Sequence, residues 1–375
     1  MAVKAGEIIA LLEELAPIKL QADWDNSGLQ VGDEDWPVEK VLLALDITLG
    51  AVEYAAVHGF TFILSHHPLI FRKLSRIDAA TPLGACLAAA LAKRICIYSL
   101  HTNLDFIQGG VSDCLAELLQ LQNIQVLDKS PGRCCKLVVF VPDSHLDEVR
   151  RVLGDAGAGW LGNYSHCTFV SPGQGQFLPR AGTSPWSGRP GELSQVSEQR
   201  LETILPQAML PRVLRALKGA HPYEEPAYDI IPLENKANLG LGRIGRLPEQ
   251  VKLSELAARV AQSLACASVR VSGDPEALVE RVAVCGGSGS DLIALAQARG
   301  AQVLVTGDVG HHDALEAANL GLALVDPGHY KSELPVLGAV QSYLQRRLPG
   351  VFSAVYPGER DPIWFLPGQG GFMNG

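Results

Sequence analysis

The chain has 375 residues, 47% apolar and 19% charged, with 31 Lys and Arg against 40 Asp and Glu for a formal net charge of -9. This composition excludes an intrinsically disordered chain and leaves room for two or three domains around a sizeable core. The acidic balance makes nucleic acid an unlikely default partner, because such a binder needs a concentrated basic patch.

The sparse basic stretch Arg243-Ile-Gly-Arg246 reads as a solvated face. No uninterrupted apolar run reaches the ~18 residues of a membrane span, and Lys93 and Arg94 end the apolar run over 85–92. Charges interrupt the apolar phase of the first fifteen residues, which is not a signal-peptide layout, so a cytoplasmic location is expected. The 8 cysteines include no CxxC pair, and a chain of this size does not need disulfide staples. Free, mostly buried thiols are expected, with the neighbours Cys134 and Cys135 pointing to opposite faces of a strand.

Helical spacing over 7–15 stops at Pro17, and the apolar run Val41-Leu-Leu-Ala-Leu-Asp46 is a strand ending in a carboxylate. Thr48 is placed to cap the next helix. Strands are expected over 60–64 and 95–100, flanking a helix over 82–93 with proline in its first turn. This alternation predicts a largely parallel sheet, whose chemistry gathers beyond the carboxyl ends of the strands. His66, His67, His101 and Asp105 all fall there.

The pattern changes after Lys129. A strand over 135–141, a helix over 146–156 and a strand over 167–170 precede a Gly-, Pro- and Ser-rich excursion over 171–199. Helices over 201–205 and 211–217 and a strand over 228–231 complete a module whose order suits a small ferredoxin-like α/β unit. A return linker is read over 235–246, after which alternation resumes. Helices are expected over 253–265, 291–298, 313–319 and 333–346, and strands over 282–284, 303–305 and 322–325. The simplest account is one α/β unit, 1–129 and 238–375, split by an inserted domain, 130–237. A Gly-rich tail, Gly368-Gln-Gly-Gly371, is expected to be poorly ordered.

Chemistry concentrates at the strand exits. His329 and Glu333, four apart at a helix start, share a face. With His66, His67 and Asp105 they offer three imidazoles and two carboxylates, a set suited to two divalent ions with a bridging carboxylate and an activated water. Thr306-Gly-Asp-Val-Gly-His-His-Asp313 is a second group. Asp308, His311, His312 and Asp313 read either as further ligands or as orienting and proton-transfer groups, and Asp313 alternatively as a helix cap. Cys285-Gly-Gly-Ser-Gly-Ser290 reads as a phosphate cradle or a tight turn capped by Ser290. His58, His145, His166 and His221 read as packing or solvent-exposed residues.

At these residues the chain resembles the NIF3-like family, also called the GTP cyclohydrolase I type 2 family. The resemblance rests on Trp24-Asp-Asn-Ser-Gly-Leu-Gln-Val-Gly32, Ser65-His-His-Pro68, His101-Thr-Asn-Leu-Asp105 and Gly286-Gly-Ser-Gly289. It continues through Val305-Thr-Gly-Asp308, His312-Asp313 and Asp326-Pro-Gly-His-Tyr330 with Glu333. Gly162-Asn-Tyr164 and Ala220-His-Pro-Tyr-Glu-Glu-Pro-Ala-Tyr-Asp229 resemble the longer members, whose insertion is similar to the CutA/PII-like ferredoxin fold. The resemblance implies a split α/β fold and a homohexamer with sites facing an internal cavity. It also implies two divalent ions per subunit, without choosing among zinc, manganese, iron, nickel and cobalt. His66, Asp105 and Glu333 would hold one ion, and His67, His329 and Glu333 the other. The implied activity is opening of the guanine ring of GTP to dihydroneopterin triphosphate and formate, with His312 or His101 relaying protons. Hydrolysis of another phosphoester or nucleotide, and a non-enzymatic metal-binding regulator or scaffold, are the competing readings.

Overall fold

Short apolar segments between polar turns become strands buried on both faces, and their order brings the strand exits together. The computed structural model describes residues 2–22, 24–129, 132–161, 164–237 and 239–364. Two compact units result, one of residues 1–128 with 240–375 and one of residues 129–239.

The first unit holds two larger sheets. One runs Phe352–Val355, Lys40–Ala44, Phe62–Ser65, Cys96–Ser99, Gly28–Val31, with the first four parallel and the last antiparallel. Phe62–Ser65 and Cys96–Ser99 are buried at every position, as expected of parallel strands covered on both faces. Helices Leu49–His58 and Pro82–Ala92 cover one face through Val52, Ala55, Leu87 and Ala90. Thr48 Oγ1 caps the first by accepting from Ala51 N at 3.1 Å. On the other face Leu43 and Leu64 meet Val336, Leu337 and Val340 of helix Pro335–Arg347. A helix from the end of the chain thus packs on a sheet from its beginning.

The other sheet runs Arg270–Ser272, Ala323–Asp326, Val303–Gly307, Leu278–Ser288, Leu241–Lys252, Gln122–Asp128. Its second, third and fourth strands are parallel and the outer ones antiparallel. The residues read as a linker over 235–246 therefore include the start of a 12-residue strand in this sheet. The strands Gly28–Val31, Gln122–Asp128 and Phe352–Val355 also escaped the sequence reading, being short or polar on one side.

Arg243 is an interior residue, not a surface one. It is 2% exposed and uses all five guanidinium donors. Nε and Nη2 donate to the two Asp113 carboxylate oxygens at 2.8 and 2.7 Å. The remaining protons go to the carbonyls of Ile107, Gly240 and Gly242. Arg243 is a buried clamp between the returning strand and the turn behind Asp105, whereas Arg246 is exposed as the solvated-face reading expected and pairs with Glu280.

The second unit runs strand, helix, strand, strand, helix, strand, with the all-antiparallel order Tyr228–Lys236, Arg133–Pro142, Ser194–Pro206, Thr168–Phe177. Cys135, Leu137, Val139 and Val141 pack against Val149 and Leu153 of helix Leu146–Asp155 and Val213 and Leu217 of helix Leu210–Ala220. Residues 201–205 are strand, not helix, because Leu201, Thr203 and Leu205 alternate inward with period two. Much of the expected excursion is a hairpin, paired from Ser194 with Phe177 to Thr203 with Thr168. All 8 cysteines are free. Gly162, Asn163 and the Gly-rich tail lie outside the described residues.

Replacing Arg243 with Met leaves the Asp113 carboxylate buried and unpaired. Urea unfolding is expected to show a loss of about 3–5 kcal/mol.

Candidate metal centre

Strand Phe62–Ser65 continues its pairing past its end, with His66 N donating to Ala44 O at 3.1 Å and His67 N to Leu45 O at 2.9 Å. Both rings are thereby held at the sheet rim, centroids 5.0 Å apart. His101 follows strand Cys96–Ser99, and Asp105 lies on the short helix Thr102–Phe106 after it. Strand Ala323–Asp326 leads to helix His329–Glu333, which Pro335 separates from the next helix. The helix expected over 333–346 is found as Pro335–Arg347, while Glu333 closes the short helix before it.

Each of four imidazoles is oriented through Nδ1. His66 Nδ1 donates to Leu100 O at 2.7 Å. His67 Nδ1 lies 2.9 Å from Asp46 Oδ1, His101 Nδ1 2.7 Å from Asp25 Oδ1, and His329 Nδ1 2.7 Å from Asp308 Oδ2. Such partners fix the tautomer and turn Nε2 inward, as around metal-ligating histidines.

Glu333 is 4% exposed and divides its carboxylate between two sets of donors. Oε1 lies 3.5 Å from His66 Nε2, and Oε2 lies 3.0 Å from His67 Nε2 and 3.2 Å from His329 Nε2. The two imidazole nitrogens of the second set are 3.3 Å apart. Three ligands of a tetrahedral ion at ~2.0–2.1 Å lie about 3.3 Å from one another, so this triangle has the size one ion requires. Beside it, Asp105 Oδ1 lies 3.8 Å from His66 Nε2, and donor atoms of His66, His67 and His101 fall within 4.8 Å of one another. His66 Nε2 and Glu333 Oε2 are buried without a well-directed hydrogen bond, as befits atoms that metal coordination would satisfy.

The charges are tightly coupled. Burial opposes ionisation of Glu333, but the surrounding imidazoles outweigh it and hold the carboxyl well below its ordinary range. Burial also opposes protonation of His67, yet Asp46 and Glu333 push its pKa up to about 10. The Glu333 hydrogen bond raises His329 to about 9 against the burial penalty. For Asp105, burial dominates and raises the carboxyl to about 6.

Glycines make room for this carboxylate. Gly287 has φ +65, and a Cβ there would lie 2.3 Å from Glu333 Oε1. Its N–H donates to Ser332 Oγ at 2.9 Å, so the glycine loop serves close packing, and that amide is already engaged. Ser290 does not cap the turn that follows; Gly289 occupies that position. Asp313 closes a capping box by accepting from Gly310 N at 2.8 Å. His311 and His312 are exposed at the start of helix His311–Asn319, and among the described residues neither joins a donor cluster. Asp25 and Asp46 were missed as orienting groups, although Asp46 was legible as a carboxylate at a strand exit.

An α/β unit whose strand exits assemble two donor clusters, one of His66, His67 and His101 and one of His67, His329 and Glu333, defines a dinuclear divalent-metal protein, with two ions per subunit. The chain belongs to the Duf34/NIF3 (NGG1p interacting factor 3) family, whose model matches residues 3–362. It is 44% identical over 324 residues to a GTP cyclohydrolase 1 type 2 homolog of Halalkalibacterium halodurans, covering 86% of this chain and 87% of that one. A homolog of the same name from Bacillus subtilis is 40% identical over 369 residues, covering 97% and 99%. A crystal structure of a Bacillus cereus protein related to NIF3 superposes with a TM-score of 0.83 at 43% identity, covering 97% of this chain and 99% of that one. A Staphylococcus aureus protein structure gives 0.72 at 30% identity over the same shares. Among the described residues no helix is long and apolar enough to cross a membrane.

Two measurements test the centre. His67 and His329 bind protons more tightly folded than unfolded, so their contribution to metal-free stability is full below about pH 6.5 and drains as pH rises toward 9–10. Metal must displace those protons, so its affinity climbs over the same interval. Zinc titration at pH 7.5 in buffers of different ionisation enthalpy should show net proton release; none would refute the coupling. Gly287→Ala should retain the native circular dichroism spectrum but bind less than half the wild-type metal, because the new Cβ displaces Glu333.

Proposed function

We propose that the protein is a dinuclear metal-dependent hydrolase in which His66, Asp105 and Glu333 hold one ion and His67, His329 and Glu333 the other. The supporting observation is the division of the Glu333 carboxylate between two donor sets. Two bound divalent ions supply Lewis acidity, water activation near neutral pH and stabilisation of developing negative charge.

The protein's own groups position and move protons. Asp46, Asp308 and the Leu100 carbonyl keep three imidazoles directed at the centre. His101 is the proton-transfer group: Asp25 holds its Nδ1, and its ring lies 5.4 Å from that of His66 and 5.5 Å from that of His67. His312, exposed at a helix start, is the second proton-transfer candidate and exchanges with solvent.

The name borne by the relatives supports GTP as the first substrate to test, with opening of the guanine imidazole ring and release of formate. The family resemblance further supports a cytoplasmic homohexamer. The strand and helix order of residues 129–239 supports a ferredoxin-like insertion of the CutA/PII kind, and we assign residues 130–237 to it.

A turnover screen of metal-loaded protein over purine nucleotides and phosphodiesters tests the reading. Wild type should carry two ions and release formate with a fluorescent pterin from GTP. Glu333→Gln should lose at least one ion and about 100-fold or more in rate. Phosphate release with guanine intact would replace the cyclohydrolase by a phosphohydrolase. Tight metal retention without turnover would make the protein a regulator or scaffold, and unchanged metal and rate in the variant would refute the bridge.

A further inference from the structure

The segment Trp24-Asp-Asn-Ser-Gly-Leu-Gln30 and the loop after His66-His67 are built into each other, and the metal centre uses only Asp25 of the first. Asn26 Nδ2 donates to Ile70 O at 2.5 Å, while Gln30 Oε1 accepts from Ile70 N at 3.0 Å. Gln30 Nε2 donates back to Asn26 O at 2.7 Å, closing the clamp. Beyond Ile70 the chain is exposed from 71 to 80. The clamp thus sets Phe71 against Trp24, ring centroids 5.9 Å apart, although these residues are 51% and 62% exposed. Both rings make T-shaped contacts with the oriented imidazole of His101, at 6.5 and 5.9 Å between centroids. Two large aromatics are therefore held at the rim of the centre, each at least half exposed to solvent.

Charge around the centre is uneven. Arg72, Lys73 and Arg76 follow Phe71 directly, all exposed, and no ion pair engages them among the described residues. On the other flank, a cleft of about 510 Å³ beside His67 and His329 is lined by Asp46, Asp308, Asp326 and Asp361. Its one arginine, Arg270, already pairs with Asp326. The unpaired cations of the loop attract a phosphate chain, whereas the arginine of the cleft is already engaged. Exposed aromatics beside unpaired cations match a planar base joined to phosphate.

We propose that Trp24, Phe71, Arg72, Lys73 and Arg76 form a nucleoside-phosphate subsite of the dinuclear centre. The base stacks on the aromatic rim, and its phosphates lie over the loop cations, away from the acidic cleft. This rests on the metal-dependent hydrolase reading and orients its substrate.

Calorimetric titration of the full-length, metal-loaded protein with GTP and with guanosine tests the subsite, with bound metal measured in the same samples. The triple variant Arg72→Ala, Lys73→Ala, Arg76→Ala should weaken GTP about tenfold or more and leave guanosine unchanged. Trp24→Ala should weaken both ligands by roughly 5- to 100-fold, and Trp24→Phe should restore most of the loss. Unchanged GTP affinity in these variants, with two ions still bound, overturns the subsite and spares the metal reading. Fewer than two ions in wild type overturns the metal reading, and the variants then still decide the subsite. A single-stranded oligonucleotide that outcompetes GTP through the same residues overturns the mononucleotide assignment.

Discussion

Burying one ionised carboxylate is the constraint around which the centre is organised. Glu333 is almost wholly removed from water, and a charge in that position must be matched by directed partners. Three imidazoles converge on it, but imidazoles tumble between tautomers and rotamers unless their other nitrogen is held. Leu100 O, Asp46 and Asp308 supply that restraint for His66, His67 and His329. Gly287 supplies the space. What would be an ordinary ion-pair cluster becomes two donor sets sharing one glutamate.

The surrounding fold holds these groups in register. Helix Pro335–Arg347, from the second half of the chain, packs on the parallel sheet of the first half, and the short helix His329–Glu333 just before it brings Glu333 to the exit of strand Phe62–Ser65. Arg243 ties the strand that returns from the second unit to the turn behind Asp105. Both devices are buried and leave little slack, which suits donors that must meet within tenths of an ångström. The aromatic rim shows the opposite economy, with a rigid clamp at Ile70 supporting an exposed segment.

Much of the first unit was legible because its strands are short apolar runs and its helices carry local start signals, such as Thr48 and the prolines at 82 and 335. Reading failed where local pattern and tertiary use diverge. Residues 201–205 have enough apolar character for a helix turn, yet pairing with two neighbouring strands selects extended backbone. Residues 241–246 carry glycines and arginines typical of a linker, and only a buried aspartate partner makes Arg243 an interior residue.

At the centre the division is similar. His66, His67, Asp105, His329 and Glu333 were recognisable as candidate donors because each follows a strand, and parallel sheets gather their strand exits at one edge. That reasoning names ligand types but not distances. It could not decide that one carboxylate oxygen faces His66 and the other faces His67 and His329. Nor could it separate Asp308, which orients His329, from its neighbour Asp313, which closes a helix end. By itself the sequence determined the chemical inventory and its place at strand ends, since residue type and hydrophobic period are local properties. Which groups converge, which only orient others and which remain outside were decided by the tertiary structure, because groups that meet, such as His67 and His329, lie 262 positions apart along the chain.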